Sequence, residues 1–298
     1  MTNIERYLKA SLKSSKSVTK EFSTSFSLGI RCLGKDIRDS IYSIYGFVRV
    51  ADEIVDTFFD SNQEILLDEF EAATFSAIEE GFSTNVILHS FQNAVNKFKI
   101  DNHLVEAFFS SMRSDLNKNK HTQQSLDEYV YGSAEAVGLM CLKIFVYGDQ
   151  KSYDSLVFSA KKLGSAFQKV NFFRDLNEDY FEKGRIYFPG FHFEKNLDEA
   201  AKKKIESEIK SEFDEAMKGI YKLPNSSRFG VLLAYRYYLK LFKKLKSTSS
   251  NKLLSKRIRV NNFQKVMLIP TTYFLSFFSF FCKKNLAQRF KKLIFLET

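Results

Sequence analysis

Apolar side chains recur every three or four residues through most of the chain, as in Ile41, Ile44, Tyr45 and Val48, or Leu232, Tyr235, Leu239 and Phe242. That period predicts α-helices, each with one buried stripe. Breaks fall at Gly34-Lys35, Asp60-Ser61-Asn62, Gly81, 117–122, Gly148-Asp149, Pro189-Gly190, Leu223-Pro224-Asn225 and 247–251, which leaves room for roughly eight to ten helices. Only 12 Gly and 3 Pro punctuate 298 residues, few for the turns of a sheet-rich protein, and the predicted class is all-α. No repeat of fixed length and no long linker divides the chain. Residues 1–298 therefore read as a single helical domain with a core over about 20–245 and a basic, Phe-rich C-terminal segment over about 250–298.

Cys32, Cys141 and Cys282 are odd in number and far apart, which excludes a disulfide framework or a paired-cysteine zinc site and fits a reducing compartment. The first residues lack the apolar run and cleavage site of a secretory signal, so the expectation is a cytoplasmic protein. The net charge of +10 is uneven: residues 201–298 hold 22 Lys/Arg against 6 Asp/Glu, and the first 200 residues sum to about −6. The lysines come as scattered pairs such as Lys243 and Lys244, without any nucleic-acid-binding signature, and no nucleic-acid partner is expected. Solvated helix faces or an anionic lipid surface account for them. The uncharged stretch from Val266 to Cys282, flanked by Lys265, Lys283 and Lys284, is 17 residues long and contains Pro270. It sits at the lower limit for a span and reads as a packing helix or one lying in a membrane surface, which makes peripheral attachment an expectation.

Two polar rows interrupt the apolar pattern. In IYGFVRVADEIVD, Tyr45, Arg49, Asp52 and Asp56 follow i, i+4, i+7, i+11 and fall within an arc of about 60° on one helix face. In QKVNFFRDLNED, Gln168, Asn171, Asp175 and Asp179 fall within about 80°, with Arg174 on the border and apolar neighbours all round. Glu53 lies off the first face. Taken alone, the first row is equally a set of surface ion pairs in which Arg49 supports Asp52 or Glu53. Two such rows in an apolar setting repel each other unless cations lie between them. Carboxylates and an amide oxygen, with His89, His103, His121 and His192 forming no cluster, favour a hard ion over zinc or iron. Magnesium, which takes one or two carboxylates plus phosphate oxygens, makes the pair of rows a diphosphate site.

The ordered set STSF (23–26), YGFVRVADEIVD, YVYGSAEAVG (129–138), QKVNFFRDLNED and GRIYFP (184–189) resembles the phytoene/squalene synthase family over about residues 20–240. The resemblance implies an all-α isoprenoid synthase fold with two aspartate-bearing helices facing across a central cavity. It implies that Asp52, Asp56, Asn171, Asp175 and Asp179 hold two or three Mg²⁺ ions, with Mn²⁺ as a substitute. It further implies that Ser23, Ser25, Tyr45, Arg49, Gln168, Asn171, Arg174 and Tyr238 line the substrate site, and that Tyr129 joins Arg49, Arg174 and the four aspartates in catalysis. Tyr129 and Tyr238 read equally as core tyrosines, and Ser23 and Ser25 as a helix N-cap. The implied reaction is a Mg-dependent head-to-head condensation of two geranylgeranyl diphosphates to phytoene, opening carotenoid biosynthesis and feeding a downstream desaturase. Farnesyl diphosphate, giving dehydrosqualene or squalene, is the alternative; a silent scaffold of the same fold is a remote one. No nicotinamide cofactor is expected for a phytoene synthase. One position departs from the family: some members carry Lys where this chain has Thr24, and Lys20, Lys35 and Arg38 are the nearby cations that could replace it.

Overall fold

The computed structural model describes residues 1–117, 121–182, 184–188, 199–255 and 257–281; the side chains of 24–25, 251, 262 and 276–281 lie outside that description. Among the described residues there are helices and no strand. The helices are α1 (Asn3–Phe22), α2 (Thr24–Arg31), α3 (Lys35–Asp56), α4 (Gln63–Glu80), α5 (Val86–Phe98), α6 (Asn102–Asn117), α7 (Gln123–Val130), α8 (Val137–Phe145), α9 (Gln150–Phe181), α10 (Glu199–Ile220), α11 (Asn225–Lys246), α12 (Ser250–Leu253) and α13 (Asn262–Phe281). A π-helical segment, Tyr131–Ala136, joins α7 to α8.

The count exceeds the eight to ten expected, because several helix ends carry no glycine or proline. Ser23 ends α1 and caps α2, its hydroxyl accepting from the Phe26 amide at 3.3 Å. Lys99 ends α5 in the left-handed region at φ 53°, a conformation a sequence reader assigns to Gly or Asn. The other predicted breaks hold. Gly81 closes α4 at φ 66°, Asn85 caps α5, and Asp149 caps α9 by accepting from the Ser152 amide at 2.8 Å. Pro189-Gly190 lies outside the described residues.

One continuous apolar cluster runs from Ile30 to Val260. Its centre is aromatic: Phe47 stacks on Phe91 at 3.8 Å and meets Phe70, Phe108 and Phe109, which locks α3, α4, α5 and α6 together. The 32-residue α9 packs against α8, α10, α11 and the π-helical segment. Close approach of the π-helical segment to α6 and to α9 needs small residues: a Cβ on Gly132 would lie 2.2 Å from the Ala107 carbonyl oxygen, and one on Gly164 would lie 2.8 Å from that of Ala134. α3 and α9, the bearers of the two polar rows, both contribute residues to the lining of one cavity.

Val266 to Phe281 falls within α13, which packs on α11 by burying Leu268 and Thr272, while Arg236 donates to Thr271 and Thr272 at 2.9 Å each. Phe263, Val266, Met267, Tyr273 and Phe274 stay exposed. Among the described residues no helix is long and apolar enough to cross a membrane. Cys282, Lys283 and Lys284 lie outside the described residues.

Candidate active site

The cavity has a volume of about 1010 Å³. It follows α9 from Leu156 to Arg174 and α3 from Ile41 to Asp52, about 27 Å and about 16 Å at 1.5 Å per residue. Polarity changes along it. At one end lie Leu33, Ile41, Leu156, Ile220 and Leu223; at the other lie Arg49, Asp52, Gln168, Asn171 and Arg174. The gradient follows from phase: each helix keeps one face on the cavity, and that face changes from aliphatic to polar toward the C-terminal half of both.

Of the residues picked out by sequence, Ser23, Tyr45, Arg49, Asp52, Tyr129, Gln168, Asn171, Arg174 and Tyr238 line this cavity. Asp56, Asp175 and Asp179 do not, although they continue the same helix faces; Asp179 lines a small adjoining pocket with Arg185. Ser23 is both an N-cap and a wall residue, and the Ser25 side chain lies outside the described residues. Lys20 and Lys35 are exposed, and Arg38 donates to the Leu33 carbonyl at 2.7 Å. None of these three proposed substitutes for the lysine missing at Thr24 lines the cavity.

The charge expectation needs correcting. Arginines already stand against the acidic rows: Arg49 pairs with Asp52 at 2.6 Å and with Glu53, Arg174 grips Asp175 through both Nε and Nη2, and Arg257 reaches Asp175 at 2.8 Å and Glu178 at 3.1 Å. Arg185 binds Asp56 at 2.8 Å. Mutual repulsion therefore does not by itself require metal. Burial opposes the charge on Arg174, but the bidentate Asp175 contact outweighs it and raises the pKa. Among the described residues no group of three or more His, Cys, Asp or Glu side chains converges on one point. The donors on the polar rows of α3 and α9 are carboxylates and an amide oxygen, which suit an ion completed by phosphate oxygens.

The sequence reading missed a buried cluster behind Tyr129. Tyr129 donates to Asp115 at 2.8 Å, Tyr187 donates to the other oxygen of Asp115 at 3.4 Å, and Arg185 reaches the Asp115 carbonyl at 3.1 Å. His121 stacks on Tyr187 at 5.6 Å. Burial pushes the Asp115 carboxyl up to about 7 against the lowering effects of Arg185 and of the Tyr129 hydrogen bond. Burial also raises Tyr129 and Tyr45 well above the usual phenol range and Tyr238 to about 12, so all three stay neutral. Asp115 was legible as a carboxylate in phase with Phe108 and Met112, on an otherwise apolar face. Arg257 carried no signal, since it stands on an irregular segment.

Four rings wall the cavity near its polar end. Phe26 lies 4.6 Å from Tyr45 and 5.9 Å from Tyr238, and Phe167 stacks on Tyr238 at 4.0 Å. Tyr238 in turn donates to the Asn171 amide oxygen at 3.4 Å. Such π-faces attract a cation, and neutral phenols leave that attraction uncomplicated by full charges.

The squalene/phytoene synthase family model matches residues 19–264. Phytoene synthase 2 of Oryza sativa subsp. japonica is 29% identical over 286 residues, covering 86% of this chain and 68% of that protein. Phytoene synthase 2 of Solanum lycopersicum is 29% identical over 279 residues, covering 86% and 87%. In fold, the chain is similar to a ligand-bound crystal structure of a dehydrosqualene synthase, with a TM-score of 0.76, 24% identity and coverage of 90% and 97%. It is also similar to the squalene synthase HpnC from Alicyclobacillus acidocaldarius, with a TM-score of 0.72, 19% identity and coverage of 82% and 95%. These likenesses identify the architecture as the isoprenoid synthase fold. The chain belongs to the squalene/phytoene synthase family, whose members are prenyltransferases acting on prenyl diphosphates, generally with a divalent metal.

Proposed function

We propose that this chain is a phytoene synthase, joining two geranylgeranyl diphosphates head to head as one isoprenoid synthase domain. The observation that carries the reading is the cavity of about 1010 Å³, graded from an aliphatic end to a polar end with Arg49, Arg174, Arg257, Arg259 and Asp52. Drug-sized ligands occupy roughly 300–1,000 Å³, so this volume is of the size two long chains require. At C–C bonds of about 1.5 Å, a drawn-out geranylgeranyl main chain is roughly 19 Å long and a farnesyl chain roughly 14 Å. Both fit along α9, and the greater length supports the longer substrate. The relatives called phytoene synthases support the same choice.

In this reading Asp52, Asp56, Asn171, Asp175 and Asp179 hold Mg²⁺, which when bound withdraws charge from the departing diphosphate. Arg49 and Arg174 donate to phosphate oxygens as planar multi-donor cations, and Ser23, Ser25, Tyr45 and Gln168 orient the same group. The aromatic wall of Phe26, Tyr45, Phe167 and Tyr238 lies beside the allylic cation left on the first substrate. That cation alkylates the double bond of the second substrate, and the carbocation so formed loses a proton as its ring closes to a cyclopropyl diphosphate; exclusion of water from the apolar cavity protects both cations from hydrolysis. Tyr129, held by Asp115, serves the second ionisation and rearrangement. The exposed apolar face of α13 gives the enzyme a peripheral membrane contact from which a hydrocarbon passes to a desaturase.

A second reading, dehydrosqualene or squalene synthesis from farnesyl diphosphate, draws support from the solved structures of similar fold. Purified protein incubated with radiolabelled farnesyl or geranylgeranyl diphosphate, with Mg²⁺ or EDTA and with or without NADPH, separates the two. A magnesium-dependent forty-carbon product made without NADPH is the expected result. A thirty-carbon product moves the assignment to dehydrosqualene, or to squalene if NADPH is needed, and no hydrocarbon from either substrate overturns both.

A further inference from the structure

Between α12 and α13 the chain runs along the cavity as a non-helical segment, 257–261, whose exposure pattern is that of extended backbone. Its exposure alternates strictly: Ile258 and Val260 are buried, whereas Arg257, Arg259 and Asn261 are exposed. In extended backbone, residues two apart point to the same side, about 6.6 Å from each other. Arg257 and Arg259 thus project together, and the side they share is fixed by Arg257, which reaches Asp175 of the second polar row and Glu178 beside it. Burial of Ile258 and Val260 anchors the opposite side, and Lys244 donates to the Arg259 carbonyl at 2.7 Å, pinning the backbone.

The cavity-lining cations are not equivalent. Arg49 is paired with Asp52 and Glu53, Arg174 with Asp175, and Arg257 with Asp175 and Glu178. Lys265 lies over the Tyr237 ring at 5.4 Å. Arg259 lines the same cavity and has no carboxylate within ion-pair distance among the described residues. An unpaired guanidinium at the mouth of a cavity whose rim already carries three arginines is placed to receive an added anion, and its planar fork suits phosphate oxygens.

We infer that Arg259 is a substrate-binding residue that contacts a diphosphate of the prenyl substrates, supplying the cation that the STSF segment lacks at Thr24. This rests on the proposed prenyl diphosphate substrates. Ser23 and Phe26, on either side of that position, line the cavity together with Arg259. In this assignment the charge arrives from the 257–261 crossing instead of from the start of α2.

The test is equilibrium binding of farnesyl and geranylgeranyl thiolodiphosphate, which do not ionise readily, measured by calorimetry with Mg²⁺ present. Arg259→Gln is expected to weaken binding about tenfold or more, the effect of losing a charge-assisted hydrogen bond. Thr24→Lys in the Arg259→Gln background is expected to restore most of that loss, yet to change the wild type little. Lys151→Gln, exposed on α9 and away from the cavity, controls for loss of one positive charge and should bind as wild type does. Wild-type affinity in Arg259→Gln overturns the inference, as does an equal loss in Lys151→Gln. If the wild type itself binds neither analogue, the substrate reading fails first, and the two failures are distinguishable.

Discussion

Replacing Asp115 by Asn changes one atom type in a buried site and leaves its shape alone. The amide oxygen can still accept from Tyr129, which now donates to Asp115 at 2.8 Å, so the packing around Tyr187 and His121 is retained. What is lost is a titration. An ordinary aspartate ionises near about 3.9, whereas burial holds Asp115 at about 7 despite Arg185. Between these values the folded protein keeps a proton that the unfolded chain has released. Stability must therefore fall as pH rises through that window, with a limiting slope of about 1.4 kcal/mol per unit. Integrated from pH 5 to pH 7, the two pKa values give a loss of about 2 kcal/mol. Urea unfolding of wild type and Asp115→Asn at pH 5, 6 and 7 checks it. The difference between the two proteins should change by about 2 kcal/mol, with the histidines cancelling because both proteins carry them. Parallel stability curves would refute the assignment of a raised, proton-holding carboxyl behind Tyr129.

Other expectations follow from the same contacts. Asp52→Asn and Asp175→Asn should each lower turnover at least about a hundredfold with unchanged helical circular dichroism, and near-normal turnover in either would sink the metal assignment. Gly132→Ala places a methyl 2.2 Å from the Ala107 oxygen and 2.8 Å from the Ser111 Cβ; denaturant unfolding should register about 1–3 kcal/mol of destabilisation. Arg185→Gln removes the 2.8 Å ion pair to Asp56 and the 3.1 Å hydrogen bond to the Asp115 carbonyl and should cost about 1–3 kcal/mol in the same measurement, the scale of a hydrogen bond to a charged group. A loss below 1 kcal/mol would mean that water or a neighbouring cation already serves Asp56.

Helices were easy to read from sequence because burial repeats every turn, and each repeat of Ile41, Ile44 and Val48 reinforces the last. The polar rows were legible for the same reason in reverse: Asp52 and Asp56, or Asp175 and Asp179, stand where the phase calls for one continuous face. Single residues have no such support. Arg257 acquires its place from a chain crossing, and Arg185 from a turn after α9 that begins with Gly184 at φ 65°. Their partners are 129 residues away for Asp56 and 82 for Asp175, separations that no local pattern encodes. The cap at Ser23 was legible only as one of two readings, a helix N-cap or a phosphate contact, because a serine supplies the same hydroxyl to either.

The π-helical turn at Tyr131–Ala136 carries a different kind of constraint. Wide turns of this type accommodate one residue more than an α-helical path would need. Deleting a single residue there would remove the extra one, so that α7 and α8 fuse into one regular helix while the residues beyond keep their phase. Deleting two would exhaust that allowance and rotate everything beyond by about 100°, swinging Val137, Gly138 and Cys141 off the cavity wall they now line. The stretch therefore tolerates the loss of one residue where a regular helix tolerates none, and the spacing of residues is an element of the cavity independent of their identity.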